Sequence, residues 1–216
     1  MDDSGKRENQ KSCSSVSSAC GVDRTSTPRR RRSWCARLLR DSVVAGSPEA
    51  VLVVLRAGDI RADEKEGRFG EVPLFVAARA GVTCVFSLLL DSTKQRTSVD
   101  QIDRLVSDSG ESLLYAAARS GNLGIVKKLL RRGANVNYRH QYTGNTPLHA
   151  AAMSGSIELV RLLLDHGADV NSVSAKGFTA LHVAAVCDSF PMAQLLVLRG
   201  ADCNAVSCAG VRPVDC

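Results

Sequence analysis

Apolar residues recur in short paired blocks. In Ile157-Glu158-Leu159-Val160-Arg161-Leu162-Leu163-Leu164-Asp165 they occupy most sides of a helix, and Gly167 follows two residues later. The spacing predicts a helix over 157–165 that packs within its own unit and against both neighbours. A shorter helix precedes it. Thr146 can cap its start, Pro147 takes the first helical position, Ala150 to Ala152 favour helix and close approach, and Gly155 makes the turn. The same design recurs at Gly110–Asn137 and Gly177–Asn204. Thr146 to Thr179 is 33 residues and Ser112 to Thr146 is 34. A fixed period of this size predicts stacked units rather than one globule.

The stretch Gly144–Asn171 reads GNTPLHAAAMSGSIELVRLLLDHGADVN. Its T-P-L-H opening, the glycine between helices, the leucine run and the closing G-A-D-V-N resemble the ankyrin repeat family. The resemblance covers roughly Trp34 to Cys216. It implies an all-α fold, an ankyrin-repeat α-solenoid of stacked helix-turn-helix units with hairpin loops. It also implies an activity of binding proteins without catalysis. His149 and His182 share one motif position, where the resemblance implies an imidazole that ties neighbouring loops together.

The remaining units depart from the pattern. A basic, Ser-rich tail (1–33) precedes the array. The first repeat (34–66) is degenerate: apolar spacing predicts a helix over Trp34–Val44, and Pro48 to Arg56 forms the second, closed by Gly58. The next (67–108) has Val72-Pro73-Leu74-Phe75 in place of T-P-L-H. Val72 to Ser112 is 40 residues, which puts an enlarged loop within 93–108, with an added helical turn at Val99–Val106. Repeats at 109–142, 143–175 and 176–208 follow. Residues 209–216 begin another copy and stop.

Charge changes the picture only at the N-terminus. Residues 1–32 hold eight Lys/Arg against four Asp/Glu, and the remainder 20 against 18. The near-neutral remainder argues against a nucleic-acid surface on the array. The tail has too little apolar surface to order itself. Arg29, Arg30, Arg31 and Arg32 read as a solvated run, as a nuclear-import signal or, more remotely, as a nucleic-acid contact. Ser33 beside them suits a basophilic kinase, whose phosphate would mask the run. No apolar stretch of about 18 residues suggests a membrane span. The start lacks a signal peptide's apolar core. Eight cysteines without a CxxC pair point to reduced thiols and a cytoplasmic or nuclear setting. Cys84 and Cys187 fall in helical stretches and are expected as small apolar fillers.

Catalytic and metal chemistry find no support. Nucleophile-elbow, phosphate-loop and zinc-protease motifs are absent, and the histidines and cysteines lack metal-ligand spacing. No cofactor is expected, and the chain is expected to be a monomer. Partner recognition is carried over from the family's concave side to Arg68, Phe69, Glu71 and Arg79, then Asp108, Glu111, Arg119 and Ser120. It continues through Tyr138, Arg139, His140, Tyr142, Asn145, Met153 and Ser154 to Ala175, Lys176, Phe178, Val186 and Cys187. Tyr138–Tyr142 is the sharpest stretch. It joins two tyrosines and an arginine, types enriched in hot spots, in a loop one residue longer than the next. The expected function is a protein-interaction scaffold or adaptor. The alternatives are the regulatory array of a larger enzyme (a ubiquitin-ligase substrate adaptor, an acyltransferase or a kinase) and a nuclear binder of transcription factors.

Overall fold

The computed structural model describes residues 38–56, 72–92 and 105–215. The basic run Arg29–Arg32, Ser33, Arg68, Phe69 and Glu71 lie outside these residues, as does most of the enlarged loop.

Helices alternate in two rows. The first row holds α1 (residues 38–44), α3 (Pro73–Ala80), α5 (Leu113–Arg119), α7 (Pro147–Met153) and α9 (Ala180–Val186). The second holds α2 (Pro48–Arg56), α4 (Thr83–Ser92), α6 (Leu123–Arg131), α8 (Ile157–Asp165) and α10 (Phe190–Leu198). From α3 onward each first-row helix packs against the next, and from α2 onward so does each second-row helix. A single turn of 3-10 helix, Pro213–Asp215, packs on α9. The fold is all-α, as the spacing predicts. Among the described residues, extended pairing is limited to one isolated antiparallel bridge, Val106 with Ser112.

That bridge corrects one expectation. Residues 105–106 do not belong to an added helical turn. They rise into a hairpin tip, because Val106 pairs backward with Ser112, the cap of α5. Residues 99–104 lie outside the described ones.

One continuous core lies between the rows. Phe75, Leu114 and Leu148 enter it from the first row, and Phe86, Leu129 and Leu163 from the second, all fully buried. The alanine triplets 116–118 and 150–152 are buried too, so neighbouring first-row helices approach closely. Ser112 accepts from Tyr115 N at 3.1 Å, Asn122 from Ile125 N at 3.0 Å and Ser156 from Leu159 N at 3.4 Å. These caps satisfy amides that the helices leave open. Val72 has no capping side chain, and Pro73 alone sets the start of α3. Cys84 and Cys187 differ from expectation: both are exposed. Apolar filling at these levels comes instead from Val85, Phe86 and Ala184.

Candidate functional site

Among the described residues, four hairpin tips project between consecutive units, at 107–111, 140–145, 174–178 and 207–211. Each is closed by the same backbone bonds. The first residue of the tip donates to the last: Ser107 to Glu111 O, His140 to Asn145 O, Ser174 to Phe178 O and Ser207 to Val211 O, at 2.8–3.0 Å. Adjacent tips are then joined by one amide each. Gln141 donates to Gly110 O at 3.2 Å, Ala175 to Thr143 O at 2.9 Å and Cys208 to Lys176 O at 3.0 Å.

A side chain locks each tip. In three of them a serine hydroxyl accepts from the amide four residues on, at Glu111, Phe178 and Val211. The tip at 140–145 has one residue more and uses His140 instead. Its Nδ1 accepts from both Tyr142 N and Thr143 N, at 3.3 and 3.2 Å. The larger ring spans the longer turn and packs against Tyr115, with centroids 5.0 Å apart. Gly144 and Gly177 are required where tips meet. Their φ values are +65° and +76°, and a Cβ would lie 2.8 Å from Ala175 N and 2.7 Å from Cys208 N.

Two further kinds of tie cross between units, each at two places among the described residues. His149 Nδ1 accepts from Thr146 N at 3.2 Å, which leaves the proton on Nε2, and this donates to Phe178 O at 2.8 Å. His182 repeats the arrangement toward Thr179 N and Val211 O. Burial pushes the His149 pKa below its ordinary value, against the Phe178 bond; the charges of Arg139 and His182 push it the same way as burial. On the opposite side Asn137 donates to Gly167 O and accepts from Asp169 N, and Asn171 does the same with Gly200 and Asp202. The loop-tying role that the resemblance assigns to the histidines is therefore present.

The proposed contact residues divide into two groups. Glu111 and His140 are buried and shape the tips. Glu111 Oε2 accepts from Arg79 Nη2 and Oε1 from Arg119 Nη1, both at 2.8 Å. Tyr138 is half-buried and donates to Gly110 O at 3.1 Å; burial raises its pKa. Ser120 and Ser154 bond to carbonyls of the first row. Asn145 is half-buried, and so is Phe178, whose ring stands edge-on to His182. Facing outward are Asp108, Arg139, Tyr142, Met153, Lys176, Val186 and Cys187. Arg139 also donates to Val173 O at 2.8 Å.

Residues seven positions after each cap form a row across the first-row helices: Arg79, Arg119, Met153 and Val186. The row runs from cationic to apolar. Its chemistry suits contact rather than reaction. Among the described residues no group of His, Cys, Asp and Glu could hold a metal ion, and no helix is long and apolar enough to cross a membrane. The serine locks escaped the sequence reading, although a signal existed: Ser107, Ser174 and Ser207 each stand three residues before a glycine.

Comparison with known proteins agrees with this geometry. A family described as "Ankyrin repeats (3 copies)" matches residues 39–140 and 133–207. Protein fem-1 homolog CG6966 of Drosophila melanogaster is 45% identical over 73 residues, which are 32% of this chain and 10% of that protein. This chain thus matches only a tenth of that relative's length. The crystal structure of the ankyrin repeat domain of Bcl-3, titled a unique member of the IkappaB protein family, superposes with a TM-score of 0.66 at 28% identity. That likeness covers 82% of this chain and 75% of the other. With its period, its two helix rows and a family match spanning most of its length, the chain belongs to the ankyrin repeat family.

Proposed function

We propose that this chain is a non-catalytic scaffold or adaptor that grips a partner protein along the groove between the hairpin tips and the first-row helices. Ankyrin repeats are generally protein–protein interaction modules. One observation carries the reading for this chain. Tyr142, Met153 and Val186 remain 68%, 55% and 68% exposed on a face whose backbone is locked by the tip bonds. Apolar side chains held open on a rigid frame lose little entropy on binding. Tyr142 and Arg139 are the anchor types that dominate such interfaces.

The test compares wild type with the double substitution Tyr142→Ala and Arg139→Ala, by affinity purification with mass spectrometry. Both side chains are exposed, and the structural losses are the Arg139 bond to Val173 O, about 0.5–1.5 kcal/mol, and the edge-on contact of the Tyr142 ring with His140. The melting temperature should shift little while the main partner disappears from the purified set. A partner retained at wild-type level would refute this surface.

The setting we propose is the cytoplasm, with entry to the nucleus through Arg29–Arg32. Residues 1–40 fused to a fluorescent protein should accumulate in nuclei, and exclusion from them would remove the import role.

A further inference from the structure

Resting on the groove reading above, we infer that the partner segment is an extended peptide that pairs an acidic side chain with a large apolar one, about three to six residues apart.

The acidic end follows from the Arg79–Glu111–Arg119 cluster. One buried carboxylate, Glu111, is shared between two guanidinium groups, Arg79 and Arg119. Arg119 spends only Nη1 on Glu111 and leaves half of its side chain in solvent. Its orientation is fixed by that bond, which prepares the rest of the fork for a second carboxylate. Arg139, just before the tip at 140–145, and Lys176, on the tip at 174–178, are both exposed and add positive charge. Two carboxylates border this stretch, Asp108 on the first tip and Asp188 just beyond α9, both exposed. Asp108 shares its tip with Glu111, so the pull on an acid comes from Arg119, Arg139 and Lys176.

The apolar end follows from Met153 and Val186, the next two residues of the same row. Both are more than half exposed. Tyr142 and the half-buried Phe178 stand on the tips beside them. Neighbouring helices in a packed row are about 10 Å apart, so Met153 lies one such step from Arg119 and Val186 two. An extended strand rises about 3.3 Å per residue, which converts these steps into roughly three and six residues.

The test uses a displayed library of random 16-residue peptides selected on the full chain. Selected peptides are then titrated against Arg119→Gln, which keeps a donor for Glu111, and against Met153→Asp with Val186→Asp, all at exposed positions. Retained melting temperatures verify that the variants fold. The inference expects enrichment of Asp or Glu at the stated distance from an apolar residue. It also expects affinity about tenfold or more weaker for each variant, with the Arg119-dependent part falling as salt rises. Peptides that need Met153 and Val186 but carry no acid would overturn the inference and leave the groove reading standing. Peptides indifferent to both variants would overturn both readings. Failure to enrich any peptide, or an Arg119-dependent affinity for a single-stranded oligonucleotide in a parallel titration, would overturn the inference as well.

Discussion

His149 reaches across a repeat boundary and donates from Nε2 to the carbonyl of Phe178, 2.8 Å away. The other ring nitrogen already accepts from Thr146 N, so a second proton would face an N–H donor. Burial opposes the charged form further and holds the pKa below its ordinary value. The unfolded chain then binds this proton first as pH falls. Stability is complete above the ordinary histidine range and declines as pH drops through that range toward the lower folded value. The urea midpoint should fall between pH 7.5 and pH 5, and His149→Gln should flatten this dependence. A midpoint independent of pH in the wild type would contradict the assignment.

The tip glycines should be among the least replaceable surface residues. Gly144→Ala and Gly177→Ala each force a side chain into positive φ and against a neighbouring amide. The conformational part alone costs about 1–2 kcal/mol. Gly155 has a similar φ of +74° but open space around it, so Gly155→Ala should cost clearly less. Urea denaturation of the three variants gives the ranking, and equal losses would show that the close approach does not matter.

Glu111 is a buried anion held by two arginines, with its side chain 3% exposed. Glu111→Gln removes the charge pairing but keeps the shape, and should cost about 1–3 kcal/mol. Glu111→Ala removes the acceptor that Arg79 and Arg119 share and leaves a void in the tip, and should cost more. Arg119→Ala, half in solvent, should cost about 1 kcal/mol or less. Chemical denaturation at low and high salt checks the order.

Leu163 is fully buried in α8, whereas Leu198 of α10 is 76% exposed. Leu163→Ala should lose about 2–5 kcal/mol. Leu198→Ala should stay within about 0.5 kcal/mol. Thermal melts of the pair separate a residue of the core from one on the rim of the stack.

The helices were legible in the sequence because their signals are local. Apolar spacing and Gly167 mark α8 at Ile157–Asp165, the bounds that the structure has. The family resemblance likewise implied a tie between loops at His149 and His182. The tips were harder. Glu111 and His140 read as loop residues, and loops are ordinarily exposed. Their burial depends on groups distant in the chain, Arg79 32 residues from Glu111 and Tyr115 25 residues from His140. Cys84 and Cys187 failed for the same reason in reverse, since helical periodicity does not say which side of a short helix a neighbour will cover. Val106 looked helical by composition, but its partner Ser112 is set by the cap of α5.

The row from Arg79 through Arg119 and Met153 to Val186 gives the molecule a heading. A ligand that reads it must travel in one sense, its acid at the arginines and its oily end at the valine. Turned end for end, the same ligand would set its carboxylate beside Met153 and Val186 and its oily end against the Arg119 guanidinium. A peptide of reversed sequence can meet the same row by laying its chain in the opposite direction, so the heading belongs to the side chains and not to the backbone.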